Sequence, residues 1–153
     1  MLVETAEQGP VDARRAAIAV LLSIHARAEA APAVRKLLSS TRYDYRLAGI
    51  AGLAALDPDE SLAALGKLSG DESPSVRSAA MEALRRQGSA ALPVLVDVAA
   101  QRSHPQRLAA LEAIRRLGAT TAPAIRVLEA AATDPDPAVS RIARYALDQV
   151  RGR

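Results

Sequence analysis

Two histidines, two acidic clusters and several arginine pairs are the side chains of this sequence with chemistry to offer. His25 and His104 have no second His or carboxylate at metal-ligand spacing. A general base needs an orienting partner within reach, and neither has one in its own stretch. Each reads instead as a helix-end residue: His25 at a C-terminus, where a cation favours the dipole, and His104 at a start, before Pro105. Asp57, Asp59 and Glu60 could suit a hard cation. The run Asp57-Pro58-Asp59-Glu60 is equally a helix capping box, which accounts for the same residues without a ligand. Asp134 and Asp136, before Pro137, read the same way. With no cysteine, disulfides, thiolate nucleophiles and Cys-based metal sites are excluded. No G-x-G-x-x-G, phosphate-binding loop, H-E-x-x-H or G-x-S-x-G pattern occurs. No catalytic, metal or cofactor role is assigned to any residue, and the chain is read as a non-enzyme.

Binding is the remaining chemistry, and the charge is unevenly placed for it. Residues 1–72 carry 8 Lys/Arg and 10 Asp/Glu, whereas residues 73–153 carry 12 Arg and 7 Asp/Glu, so the basic excess is C-terminal. Arg85-Arg86 and Arg115-Arg116 fall at equivalent points 30 residues apart, and Arg151 and Arg153 follow at the same helix edge. Stacked helices lie about 8–10 Å apart, so these six would form a basic strip. Such a strip offers an acidic protein or a nucleic-acid backbone a partner, although arginine at a helix C-terminus also offsets the dipole by itself.

These residues are positioned by a repeat. VRSAAMEALRRQGSAALPVLVDVA (76–99) aligns without a gap on QRLAALEAIRRLGATTAPAIRVLE (106–129). Arg77 falls on Arg107, Ala80 on Ala110, Glu82 on Glu112, Gly88 on Gly118 and Pro93 on Pro123. Weaker copies start from Arg14 and Arg46, and a last one carries Ser140 at the anchor position with Arg141 beside it. Each copy reads as two helices, the first with one apolar stripe, as in Val76, Ala79, Ala80, Ala83, Leu84 and Gln87, or Leu108, Ala109, Leu111, Ile114 and Leu117. First helices are expected over 11–25, 42–56, 74–87, 104–117 and 137–150, and second helices over 30–39, 58–69, 90–101 and 121–132. Gly88, Gly118 and Gly70 are placed as left-handed helix stops, and Ser73-Pro74 and Asp136-Pro137 as starts.

A single pair cannot bury its stripe, so the pairs must stack. The expected fold is all-α, a right-handed α-solenoid of about four and a half helix pairs. Residues 1–9 form a flexible lead-in, and a single repeat domain covers 10–153, in copies of about 10–40, 41–70, 71–101, 102–133 and a half repeat over 134–153. If Leu95, Val98, Ile125 and Leu128 are core, the neighbouring positions on the second helices form the concave face. Those are Arg35, Lys36, Ala63, Ala64, Val96, Asp97, Arg126 and Val127. Tyr145, at the position of Glu82 and Glu112, is expected to point outward. The apolar run 16–24 mimics a secretory leader, but Glu4, Glu7 and Asp12 before it do not make a positive flank, and nine residues are too few to span a membrane.

The string DESPSVRSAAMEAL (71–84), with its variant TDPDPAVSRIARYAL (133–147), resembles the D-x-x-P-x-V-R-x-x-A-x-x-A-L pattern of bacterial HEAT-like repeats, including the phycobilisome-lyase type. The resemblance covers about residues 10–150. In that family an Asp before the first helix and an Arg inside it often form a ladder of hydrogen bonds between repeats, which the resemblance carries over to Asp71 and Arg77. Some relatives excise alkylated bases using aromatic side chains. This chain has no Trp or Phe and only Tyr43, Tyr45 and Tyr145, which does not suit base stacking. The expected role is a cytoplasmic, monomeric scaffold or adaptor that holds a protein or peptide on its concave face. The alternatives are a nucleic-acid or polyanion binder working through the arginine edge, and a non-catalytic subunit of a lyase-type enzyme. No membrane association is expected.

Overall fold

The computed structural model describes residues 1–118 and 120–152. Among them the regular structure is helical throughout: α1 (Leu2–Gln8), α2 (Val11–Ser23), α3 (Arg27–Leu38), α4 (Tyr43–Ala51), α5 (Pro58–Leu68), α6 (Pro74–Arg86), α7 (Leu92–Ala100), α8 (Arg107–Leu117), α9 (Ala122–Ala131) and α10 (Pro137–Arg151). Short 3-10 turns follow α4 (Leu53–Ala55) and α6 (Gly88–Ala91). The helices gather into two compact units, Met1–Ala80 and Met81–Arg153, and α6 contributes residues to both.

In the first unit α1 packs on α2 and α3, and α4 packs on both α2 and α3. Its core holds Ile18, Leu21, Val34, Leu37, Leu65 and Val76. In the second, α7 packs on α8 and α9, and α10 closes against α8 and α9 over Leu84, Leu95, Leu111, Ile114 and Leu128. Each fully buried Leu contributes about 1.5–3 kcal/mol. Small alanines complete both cores: Ala30, Ala33, Ala80, Ala110, Ala124 and Ala143 are fully buried, so helices approach with little side chain between them.

Several expectations are corrected. Residues 2–8, read as a lead-in, are helical, and Ala6 is buried. The stripe on the first helices is narrower than its apolar residues suggested, since Gln87, Leu108 and Leu117 are exposed. On α8 the buried phase runs through Arg107, Ala110, Leu111, Ala113 and Ile114, which puts Leu108 on the far side. The helix expected over 42–56 stops at Ala51 and tightens into a 3-10 turn. A Cβ on Gly52 would lie 2.8 Å from Val34 Cγ2, and one on Gly49 2.8 Å from the Leu38 backbone nitrogen, so both glycines serve the close approach of α3.

Gly88 and Gly118 are left-handed, each at φ 59°, whereas Gly70 is not. Among the described residues a third left-handed one is His25, at φ 62°, in the repeat position equivalent to Gly88 and Gly118. There the Ala26 N–H donates to Leu21 O and the His25 N–H to Leu22 O, closing α2 as a Schellman turn.

Candidate functional site

The charged side chains divide into those that hold one repeat to the next and those left for a partner. The strongest holding contacts are two buried ion pairs. Arg46 donates to Asp71 at 2.7 Å, with side chains 7% and 9% exposed, and its Nη1 also donates to the carbonyls of Ser40 and Thr41. Arg107 donates to Asp134 at 2.5 Å and to the Ala99 carbonyl at 3.0 Å. Each arginine is the anchor residue of one repeat, and each aspartate belongs to the turn opening another.

This corrects the ladder expected from Asp71 and Arg77. Arg77 Nη1 donates to the backbone carbonyls of Asp71 and Glu72, and the Asp71 carboxylate turns to Arg46. Burial would raise the Asp71 pKa. Hydrogen bonds from Arg46 and the Ser73 N–H, with the charges of Arg46 and Arg77, outweigh it and hold the carboxyl below its usual range. Asp134 is lowered likewise, first by the Asp136 N–H and then by Arg107.

The groups considered for chemistry sit in structural roles. His25 is the helix stop described above, and His104 Nδ1 accepts from the Gln106 N–H before α8. The capping box at 57–60 does not form. Asp57 makes no side-chain cap bond, and Glu60 is drawn to Arg35 by two hydrogen bonds of 2.6 and 2.8 Å. Asp136 does cap α10, accepting from the Ala138 N–H at 2.8 Å. Among the described residues no three His, Asp or Glu converge to hold a metal ion.

The residues expected on the concave face are all at least partly exposed. In the first unit Arg35 is engaged by Glu60, while Lys36 and Ala63 are open to solvent and Ala64 is half-buried. In the second unit Val96 on α7 and Arg126 and Val127 on α9 line one groove of about 310 Å³. Ala99, Ala100, Pro123 and Ala130 complete its apolar surface, and Arg102 and Arg107 are at its wall. Asp97 is exposed on α7 and does not line it. Arg102 was missed by sequence reasoning, because it follows α7 in a turn and no helical periodicity reaches it.

The arginine edge is more neutralised than the sequence suggested. Arg85 is paired with Glu82, and Glu112 holds both Arg115 at 2.7 Å and Arg116 at 2.8 Å. The hydrogen bond from Arg115, then that from Arg116, lowers the Glu112 carboxyl to about 2 against an opposing desolvation. The Arg115 guanidinium also lies over the ring of Tyr145, 5.2 Å from its centroid, and Tyr145 is 55% exposed, as its outward position implied. Arg151 reaches Glu129 only at 3.9 Å, and Arg153 lies outside the described residues. Arg86 has no ion pair among them; with Arg85 and Arg116 it rims a second groove of about 380 Å³ floored by Ala113 and Leu117. At the positions of Arg85-Arg86 the first two copies carry Leu22-Ser23 and Ala54-Ala55, so the pair is not a general requirement of the repeat.

Comparison with known proteins concerns the fold. A family model described as HEAT repeats matches residues 1–85 and again residues 31–115. No curated protein matches the chain. Among solved structures, a designed armadillo repeat protein in complex with the peptide (KR)4 is similar at 18% identity and a TM-score of 0.56, covering 97% of this chain and 80% of that one. An engineered protein is similar at 22% identity and a TM-score of 0.51, over 99% and 78%. A second designed armadillo repeat protein is similar at 20% identity and a TM-score of 0.50, over 97% and 80%.

Proposed function

The chain belongs to the HEAT-repeat family, and from that premise we propose that it is a binding scaffold that holds a partner protein or peptide on the face built by its second helices. The observation that carries this reading is the groove between α7 and α9, where Val96, Arg126 and Val127 line one apolar surface open to solvent. A peptide laid there would bury side chains against Val96, Val127 and the alanines between them. The peptide in the designed armadillo complex supports this mode of use for stacked helix pairs, although (KR)4 is cationic and this groove carries arginines. The scaffold works as a monomer in the cytoplasm, without cofactor or chemistry of its own. The resemblance of residues 71–84 to the phycobilisome-lyase type supports a narrower form of the same reading, a non-catalytic subunit of a modifying enzyme. Among the described residues no helix is long and apolar enough to cross a membrane.

The test is capture of partners from lysate by the tagged chain and by a Val96→Glu, Arg126→Glu variant. Loss of a discrete captured protein, with far-UV circular dichroism unchanged, is expected. Undiminished capture by the folded variant would remove this face from the account.

The arginine edge supports a second reading, polyanion binding, because Arg85-Arg86 and Arg115-Arg116 recur on α6 and α8 while the first two copies lack them. Replacing all four with Gln should abolish any nucleic-acid binding and flatten its salt dependence. Binding insensitive to salt would rule this reading out.

A further inference from the structure

The groove between α7 and α9 has a charge character that narrows its partner. Its floor is apolar, with Ala99 only 1% exposed and Val96 and Val127 half-buried. Three arginines line it, and no carboxylate does among the described residues. Arg107 is already neutralised by Asp134. Arg126 makes no hydrogen bond or ion pair among the described residues, and neither does Arg102, whose charge reaches Asp134 only at longer range. Asp134 itself is committed to Arg107 and to the Asp136 N–H. The groove therefore keeps two guanidiniums with no ion-pair partner among the described residues beside a half-buried apolar floor. The edge groove differs, since two of its three arginines are held by glutamates of their own helices.

Resting on the peptide-binding reading, we propose that the α7–α9 groove selects an acidic peptide, an extended segment in which Asp or Glu side chains flank small apolar ones. The apolar side chains lie against Val96, Val127 and the alanine floor. The carboxylates meet Arg102 and Arg126, whose planar forks can each donate two parallel hydrogen bonds to a carboxylate. A basic peptide would bring like charge to the same wall, and like-charge juxtaposition selects against a wrong partner. The groove offers no aromatic ring for base stacking, so a protein segment fits it better than a nucleic acid.

The experiment is selection from a displayed library of random 12-residue peptides on the immobilised full chain. The selected peptides are then titrated as fluorescent synthetic copies against the wild type and against Arg102→Gln/Arg126→Gln. Net-negative peptides should be enriched. Their affinity should fall about tenfold in the double variant, the size expected for two partly exposed charge contacts, and stay unchanged in Arg85→Gln/Arg86→Gln. Enrichment of neutral or basic peptides that lose binding in Val96→Glu would overturn the acidic selectivity and leave the peptide groove standing. Displacement of the acidic peptides by a single-stranded oligonucleotide at equal charge would overturn the protein-segment assignment. Failure to enrich any peptide sensitive to Val96→Glu would overturn both the selectivity and the groove.

Discussion

Replacing Asp71 by alanine removes the carboxylate that faces Arg46 across the step from one helix pair to the next. Both side chains are more than nine-tenths buried, so the guanidinium left behind cannot recover its hydration without opening the turn. Its Nη1 keeps the carbonyls of Ser40 and Thr41, and Nη2 keeps only Glu72 at 3.2 Å, whose own side chain is 82% exposed. Its Nε has no partner. Breaking a buried pair by removing one member costs about 3–5 kcal/mol. The surviving Glu72 contact argues for the lower end, and the lost acceptor for the Ser73 N–H adds about 1 kcal/mol. The expected loss for Asp71→Ala is about 4 kcal/mol by urea denaturation followed at 222 nm. Glu72→Ala, which removes an exposed partner, should cost less than about 1 kcal/mol. In an Arg46→Met background Asp71→Ala should become much milder, because no buried charge is then orphaned. The pH dependence follows from the same contact. A carboxyl whose folded pKa is depressed contributes stability present above its unfolded value, about 3.9, and lost as pH falls through the folded value. The acid limb below about pH 4 should therefore be shallower in Asp71→Asn than in wild type. Equal costs for Asp71→Ala and Glu72→Ala, or an unchanged cost in the Arg46→Met background, would refute the buried-pair reasoning.

Three further outcomes follow from the same geometry. His25→Gly should stabilise the protein by about 0.5–1 kcal/mol, since a non-glycine residue at φ 62° is strained, while His25→Ala should give no gain; thermal melts decide it. Glu112 should titrate near 2 by carbon-detected NMR and return toward its ordinary value in Arg115→Gln/Arg116→Gln, and its contribution to stability should disappear as pH falls from about 4.3 toward 2. Asp134→Ala should destabilise the second unit as Asp71→Ala does the first, seen as faster amide exchange in α8.

The repeat register was legible because 76–99 and 106–129 align without a gap, with Arg77, Glu82, Gly88 and Pro93 recurring at Arg107, Glu112, Gly118 and Pro123, and that alignment placed the helix pairs and the stops at Gly88 and Gly118. The same register points to His25, but a histidine does not announce a left-handed conformation as glycine does. The break at Gly52 was hidden because α4 keeps its helical period up to it, and only the approach of Val34 reveals why the chain tightens there. The ladder between repeats forms, but with Arg46 rather than Arg77 on the Asp71 carboxylate. Alignment says which residues are equivalent, while the direction an arginine extends depends on where the neighbouring turn comes to rest, and Asp71 rests beside Arg46. Of the groove residues, Val96, Arg126 and Val127 were placed on the second helices by a phase that took Ile125 as core, whereas the buried residues of α9 are Ala124, Leu128 and Ala131. Arg102 was not placed, since turn residues carry no phase.

If a partner sits on the α7–α9 face, a residue of that face must lie within crosslinking reach of it. This is tested most directly by placing a photoreactive phenylalanine analogue at Val127, and separately at Leu117 in the edge groove, then irradiating cells that express each variant. A discrete protein adduct at position 127 and none at 117 is the expected result. Adducts at 117 alone, or at neither position in a protein that remains folded, would contradict it.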